Sequence, residues 1–297
     1  METEDLEKFL VIAATQNLQR AADRLDATPG GLSKVLSRLE RSLDCRLFDR
    51  VGKKISINDS GRRLQQRAAE IVALARATRA EFGSVAQGPE CRVAAPAMLQ
   101  LRWAGRMQRQ LAEQLGQSCL SMTSAYESVA LKMLVRGEVD CALVTDAVSS
   151  QIGAGFSSRN IGTITMAVAA SSAHPLVVGQ ADPMHRPVSV TTQTLRAYAF
   201  AAPRISPFGG DEQGIGSDGW REDKLPRRVS VVVNDYGALC NLVREAQVLA
   251  YLPLDLINEI GAVRIDVVDC PYECQRDLLA VWRGSRHGWL DQLMESL

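Results

Sequence analysis

No apolar run in the 297 residues approaches the roughly 18 that a membrane-spanning helix needs, which excludes a helical membrane protein. The first residues, Met1 to Asp5, are acidic where a secretory leader is basic, so a secreted precursor is not expected. Aromatic residues make up only 5% of the chain, and its three histidines (174, 185 and 287) lie far apart. That leaves little material for a histidine-based catalytic or metal cluster. The seven cysteines (45, 91, 119, 141, 240, 270 and 274) are odd in number and follow no interval, which suits reduced thiols in a cytoplasm better than a disulfide framework. Net charge is also absent: 34 basic residues balance 34 acidic ones, so the whole-chain charge favours no partner. Hydrophobic residues at 46% still supply a sizeable core, and the length suits two domains better than one.

Motifs of the common enzyme classes are missing as well. There is no GxSxG, no HExxH and no Walker loop, and an enzyme is not expected. Gly214-Ile-Gly216-Ser-Asp-Gly219 spells GxGxxG, but Asp211-Glu-Gln precedes it where a strand is required, so it reads as a loop and not a dinucleotide site. Cys270 and Cys274 have no second pair and no histidine at ligand spacing; neither zinc nor any other cofactor is expected.

What is present is local. Between Ala27 and Arg67 stand ten basic residues (Lys34, Arg38, Arg41, Arg46, Arg50, Lys53, Lys54, Arg62, Arg63, Arg67) against Glu40, Asp44, Asp49 and Asp59, a net +6. From Cys91 onward the balance is 19 basic to 21 acidic, or −2. A basic quarter ahead of a mildly acidic body suits a nucleic-acid module joined to something else, although a charge run alone also fits a solvated surface.

Helical periodicity fills this basic quarter. Leu6, Phe9, Leu10 and Ala13 recur at i, i+3, i+4 and i+7; Leu18, Ala21, Ala22 and Leu25 form a shorter stripe; Leu32, Val35, Leu36, Leu39 and Leu43 form a third. Thr28 suits the N-cap of the third helix and Pro29 its first position. The polar face of that helix carries Gly31, Ser33, Lys34, Ser37, Arg38 and Arg41: small and hydroxyl groups that allow approach to base edges, then cations that reach phosphates. Arg50 to Ile57 reads as a hairpin tipped by Gly52, Lys53 and Lys54, a wing for the phosphate backbone. On periodicity alone, a plain helical bundle fits equally well.

The run Phe9, Ala21-Ala22-Asp-Arg-Leu25, Ser33, Leu39-Glu40, Leu43, Leu47-Phe48-Asp-Arg50, followed by Ile57-Asn-Asp-Ser-Gly61, resembles the winged helix-turn-helix of LysR-type transcriptional regulators. The resemblance implies a recognition helix starting at Thr28, with Thr28, Gly31, Ser33, Lys34, Ser37 and Arg38 at DNA and Arg50, Lys53 and Lys54 in the wing region. One departure stands out. Thr28-Pro29-Gly30-Gly31-Leu32-Ser33 occupies the place of the family's Ser-Gln-Pro-Ala-Val-Ser, so no base contact is carried over for position 29. The two glycines weaken the helix, by roughly 1 kcal/mol each against alanine, and allow closer backbone approach to DNA.

From Asn58 to about Gln87 a long helix is expected, with Leu64, Ala68, Ile71, Ala75, Thr78, Phe82 and Val85 spaced as a heptad seam. The family uses this helix for dimerisation, which assigns Leu64, Ala68, Ile71, Ala75 and Phe82 to a pairing seam. Gly88-Pro89 then forms a hinge.

The remainder alternates strands and helices in the doubly wound α/β manner. Strands fit at 92–95, 119–123, 140–145, 165–170, 198–202, 229–233, 248–252 and 278–282. Landmarks Leu134-x-Arg-Gly-Glu-x-Asp140, His174-Pro-Leu176, Ala250 to Pro253 and Ala280-Val-Trp282 are similar to the family's effector domain. The resemblance implies a periplasmic-binding-protein-like fold of two subdomains with a small effector between them. The expected organisation is a winged helix-turn-helix domain at 1–58, a linker helix and hinge at 59–90, and an effector domain at 91–297. Within the last, subdomain I spans 91–163 and 267–297, and subdomain II spans 164–266. Because open α/β sheets bind ligands beyond the carboxyl ends of their strands, Pro96, Ala97, Met98, Ser124, Thr145, Asp146, Ala202, Pro203, Asn234 and Asp235 are the candidate effector residues. Ala97-Met98 stand where the family often has serine or threonine.

The expected function is therefore a sequence-specific regulator in the cytoplasm that binds an inverted repeat in double-stranded DNA as a dimer or tetramer and answers to a small effector. Two other readings remain open on the sequence. One is an enzyme or solute-binding protein with a helical N-terminal extension; the other is a regulator that has lost its effector.

Overall fold

The computed structural model describes residues 2–51, 54–82, 90–183, 186–204, 206, 208, 218–245, 247–284 and 288–297. Only the backbone is described for Arg50, Val51, Lys54 and several residues after Val72, Phe82 among them.

The N-terminal unit packs α1 (Thr3–Thr15), α2 (Leu18–Leu25) and α3 (Pro29–Ser42) around one core. Gln16 and Asp26, both in the left-handed region at φ 46°, end the first two helices and turn the chain sharply. Asn17 then caps α2 by accepting from the amides of Gln19 and Arg20. The predicted stripes meet, with Leu6, Phe9, Leu10 and Ala13 of α1, Ala21 and Ala22 of α2, and Leu32 and Leu39 of α3 all buried, whereas Leu43, on the third stripe, is exposed. The paired alanines leave no side chain to hold the helices apart.

Leu47 and Phe48 close this core from below, and the chain enters an antiparallel hairpin of β1 (Phe48–Val51) and β2 (Lys54–Ile57). The Ile57 amide donates to Gln16 Oε1 at 3.0 Å, tying the hairpin to the end of α1. Asn58 caps the long α4 (Asp59–Phe82) through the Gly61 amide at 2.9 Å. Glycine is required at 61, since a Cβ there would lie 2.2 Å from the Leu47 carbonyl oxygen.

The pairing seam read from the sequence is divided by this packing. Because α4 lies along α1, Ala68 is fully buried in the same core with Ala69 and Val72, and Leu64 packs against it. Ala68 and Leu64 therefore face their own domain. Ile71 and Leu74, 39% and 64% exposed, point outward, and Ala75 is half-buried. Leu74 was not on the predicted seam. The side chain of Phe82, and the hinge at Gly88-Pro89, lie outside the described residues.

The C-terminal half begins with β3 (Glu90–Ala95), α5 (Ala97–Leu115), β4 (Cys119–Ser124), α6 (Glu127–Val135) and β5 (Cys141–Thr145). These three strands are parallel in the order β4-β3-β5. Alternate residues face opposite sides, as strand geometry demands. Cys91, Val93, Cys141 and Leu143 pack under α5, while Ala94, Ala142 and Val144 pack under α6. The result is a three-layer α/β/α unit.

A 3-10 turn (Asp146–Gln151) leads to β6 (Ser157–Ala170), which is much longer than predicted. Then follow β7 (Val188–Val190), α7 (Thr192–Leu195), β8 (Ala199–Pro203), β9 (Arg228–Val233), α8 (Tyr236–Glu245), β10 (Ala250–Pro253), α9 (Leu254–Glu259) and β11 (Val263–Val267). Last come β12 (Gln275–Trp282) and α10 (Trp289–Ser296). β6 changes partners along its length. From Ser157 to Thr165 it pairs antiparallel with β12, and from Met166 to Ala170 it pairs with β10 and β11. One strand thus belongs to both α/β units, and the return crossing is the segment between β11 and β12. No helix among the described residues is long and apolar enough to cross a membrane.

Gly61→Ala is expected to destabilise the protein by roughly 1–3 kcal/mol in urea denaturation, because the Leu47 carbonyl has to move. Gly30→Ala, with no atom within 4 Å of the new Cβ, is expected to raise stability by up to about 1 kcal/mol.

Candidate functional site

The first surface is the outer face of α3. The Thr28 hydroxyl accepts from the Gly31 amide at 3.1 Å, so the predicted cap is formed. Leu32, Val35, Leu36 and Leu39 hold the inner face, which leaves Thr28, Gly31, Lys34 and Ser37 exposed and Ser33 half-buried on the outer one. Ser37 donates back to the Ser33 carbonyl at 2.9 Å; its oxygen lone pairs remain as acceptors. Lys34 has no hydrogen-bond or ion-pair partner among the described residues.

Arg38 differs from the sequence reading. Its guanidinium clasps Asp5 of α1, with Nε donating to Oδ2 at 2.7 Å and Nη2 donating to Oδ1. Asp5 is buried, and the Arg38 hydrogen bonds hold its carboxyl below the usual aspartate range. Arg38 is thus a brace between α1 and α3 as well as a surface cation. The sequence offered no sign of this, because the partner lies 33 residues earlier. Arg50 and Lys54 stand on the hairpin by backbone position, whereas Gly52 and Lys53 lie outside the described residues.

The second site is a cavity of about 440 Å³. Trp220, Tyr251, Tyr272 and Phe208 supply apolar walls, Arg221, Glu273 and Arg276 supply charge, and Cys270 and Cys274 also line it. Arg276 sits on β12 where that strand pairs with β6, so the cavity opens at the crossing between the two α/β units. A recess of about 260 Å³ adjoins it and shares Trp220, Tyr251, Cys270, Tyr272 and Glu273.

A buried ion pair holds the wall in place. Arg227, 3% exposed, donates to both carboxylate oxygens of Asp218 at 2.8 and 2.7 Å and to Glu222 at 2.8 Å. Its guanidinium also lies 5.0 Å from the Phe200 ring and 5.4 Å from that of Trp220. Trp220 donates from Nε1 to the Leu225 carbonyl at 2.7 Å. The Arg221 guanidinium is bonded to Asp223 and stacks 4.9 Å from the Tyr272 ring.

None of the ten effector residues read from the sequence lines the larger cavity. Pro96 and Met98 are buried and Ala97 is half-buried at the start of α5, where Met98 fills a small recess with Arg102 and Asp255. Ala202 and Pro203 are buried at the end of β8, while Ser124 and Asn234 are exposed. Asp235 is taken up in capping α8 through the Ala238 amide at 2.7 Å. Thr145 is fully buried at the end of β5, and Asp146, next to it, lies 4.0 Å from Arg276 of the cavity wall. The strand-end rule named no residue of the segment between β11 and β12, of which residues 270–274 line the cavity. Cys270-Pro-Tyr-Glu-Cys274 draws the eye as a metal motif, which its spacing does not support. Its aromatic and charged residues beside a predicted strand were the available signal.

Sequence reasoning also missed Glu127. It is fully buried at the start of α6, accepts from the Thr145 amide at 2.7 Å, and leaves Oε2 without a hydrogen bond. Burial pushes its pKa up to about 7. No group of three or more metal-ligating residues occurs among the described residues, and all seven cysteines are free.

With this geometry in place, comparison with known proteins gives one answer. A profile for the bacterial regulatory helix-turn-helix protein, lysR family, matches residues 3–62, and a profile for the LysR substrate binding domain matches residues 86–288. The chain belongs to the LysR family. The HTH-type transcriptional regulator HdfR of Salmonella newport is 28% identical over 176 residues, covering 58% of this chain and 62% of that protein. Full-length LysG of Corynebacterium glutamicum with bound effector Arg matches at TM-score 0.59 and 19% identity, over 100% of this chain and 96% of its own. CbnR in complex with its target DNA matches at TM-score 0.54 and 18% identity, over 100% and 98%. At such identities the structural likeness speaks for the fold. The chain spans 55%, 21% and 62% of the length of three curated relatives that it matches.

Three outcomes follow for this LysR-family chain. Asp218→Ala is expected to cost roughly 1.5–3 kcal/mol, since it removes the bidentate partner of a buried guanidinium and leaves Glu222 alone to pair it. Asp5 has a folded pKa below its unfolded one, so its contribution is present above the unfolded value and is lost as pH falls through the folded value. Arg38→Ala is therefore expected to lower stability at pH 7, with the difference from wild type shrinking in acid melts. Glu127 has the opposite sign. Its raised folded pKa makes it stabilising when protonated, and that contribution is lost as pH rises from about 4.5 to about 7. Glu127→Gln is expected to raise the melting temperature by a few degrees at pH 8 relative to wild type and to flatten its decline between pH 5 and 8.

Proposed function

We propose that this LysR-family chain is a sequence-specific, DNA-binding transcriptional regulator that pairs with a second copy and responds to a small effector. The observation that carries the reading is the outer face of α3. A capped helix, fixed from behind by a full core, presents Thr28, Gly31, Ser33, Lys34 and Ser37 outward beside a hairpin whose predicted tip carries Lys53 and Lys54. This combines close approach at the helix start with cations along its length, the requirement of a helix laid in the major groove. Of Gly30 and Gly31, the first has open space around it, which supports the idea that the backbone itself comes near the DNA.

Residues 1–58 then form the DNA-reading domain, 59–90 the linker helix and hinge, and 91–297 the effector domain, in which 91–163 with 267–297 and 164–266 are subdomains. The exposed pair Ile71 and Leu74 supports α4 as the seam for a second copy, with Ala75 at its edge. Two-fold pairing places two recognition helices on an inverted repeat. The effector site is the cavity bounded by Trp220, Tyr251, Tyr272 and Arg276, whose volume falls in the range of small-molecule sites. Asp146, from the other side of the crossing, lies 4.0 Å from Arg276 of its wall. In LysG an effector is bound, and in CbnR the target DNA is bound; we extend both properties, without the identity of either ligand, to this chain. It acts without catalysis and works in the cytoplasm.

The test separates two kinds of contact on α3. With a DNA fragment selected by the wild-type protein, Lys34→Ala is expected to weaken specific and random DNA alike and to reduce the salt slope of log affinity by about one. Ser33→Ala is expected to lose preference for the selected fragment while keeping its affinity for random DNA. Equal losses on both DNAs from both variants would overturn the assignment of α3 as the reading helix.

A further inference from the structure

The linker helix has a third face, away from the open seam, which borders its own core at Ala69. On that face lie Ala69 and Glu70, and both meet the C-terminal half of the same chain. Gly137, in the turn after α6 at φ 71°, is seated against Ala69 so closely that a Cβ on it would lie 2.8 Å from the Ala69 Cβ and 3.6 Å from Leu10 Cδ1. Arg283, immediately after β12, donates from Nη1 to Glu70 Oε1 at 3.3 Å. Its guanidinium also lies 4.7 Å from the centre of the Phe156 ring, and its side chain is only 18% exposed. Glu70 is held from the other side by Arg67 at 3.1 Å. The strand end is fixed in turn, since Trp282 donates from Nε1 to Asp291 Oδ1 at 2.6 Å.

We propose that Arg283, together with Gly137, is a positioning residue that locks the linker helix, and with it the DNA-reading module, onto the effector domain of the same chain. The importance of the lock for regulation rests on the reading of the preceding subsection; its existence as a mechanical contact does not. Two contacts on adjacent residues of α4 fix both the distance and the rotation of the helix, which a single contact would not. The strand that ends at the lock begins at the cavity, where Gln275 and Arg276 form part of the wall. An effector that binds better when the lock is closed, or when it is open, then shifts the population of the two arrangements and so the spacing of paired reading helices.

The lock is tested with spin labels on Cys45 and Cys119, which are exposed and lie one in each half, in a background carrying Cys270→Ser and Cys274→Ser. Labelled protein is diluted into excess unlabelled protein, so that only distances within one chain are read by pulsed electron resonance. Wild type and Arg283→Lys are expected to give one narrow distance peak. Glu70→Gln and Arg283→Gln are each expected to lose it for a broad distribution, and the exchange of Glu70→Arg with Arg283→Glu is expected to restore it. Narrow peaks in both single variants would overturn the proposal, and so would failure of the exchange to restore the peak after both singles had lost it. Circular dichroism on each variant separates loss of the lock from loss of fold. DNA-fragment selection run on the same wild-type preparation keeps the two questions apart: no shared sequence would sink the regulator reading, while the distance peak still decides the lock.

Discussion

Fourteen residues of one strand, Ser157–Ala170, are what the C-terminal half depends on. A strand's backbone groups have to be paired wherever they are buried, and β6 meets that demand with β12 along its first part and with β10 and β11 along its second. The two α/β units are therefore joined by continuous hydrogen-bonded sheet, and not by a flexible tether. Any rotation of one unit against the other has to bend or twist at the place where β6 changes partners, next to the wall that Arg276 contributes to the cavity. The cavity, the crossing and the end of β12 are consequently parts of one mechanical element.

Arginine does much of the remaining fastening, and the chain treats its buried carboxylates in two ways. Asp5 and Asp218 each receive a bidentate guanidinium, from Arg38 and Arg227, and both pairs brace one segment against another. Removing the arginine from either pair leaves a buried carboxylate without its guanidinium, which costs more than the intact pair contributes. Glu127 receives no such partner, only the Thr145 amide, and titrates near neutrality.

The N-terminal unit was largely legible in the sequence, because its stripes are local and amphipathic and its caps use the residue types that capping chemistry demands. Thr28 and Asn58 both cap where the sequence placed them. The parallel strands were legible for a similar reason: Cys141 to Thr145 is buried throughout and reads as an apolar run. Three things were not legible. The start of β6, Ser-Ser-Arg-Asn, is polar and mostly exposed, so hydropathy hides a strand whose register is set by a partner more than a hundred residues away. The clasp of Arg38 on Asp5 and the seating of Ala68 in its own domain depend on how α1 crosses its neighbours, which periodicity does not report. The cavity is built from Trp220, Tyr251 and Tyr272, residues from three separate segments that only the tertiary fold brings together.

Everything proposed for this chain depends on the face of α3 reading a DNA sequence. Selection of genomic fragments by the purified full chain, sequenced without prior choice of target, tests it most directly. The recovered fragments are expected to share an inverted repeat with half-sites a helical turn or a multiple of it apart. Recovery of fragments with no common sequence, at an affinity that falls with salt alike for all of them, would contradict it.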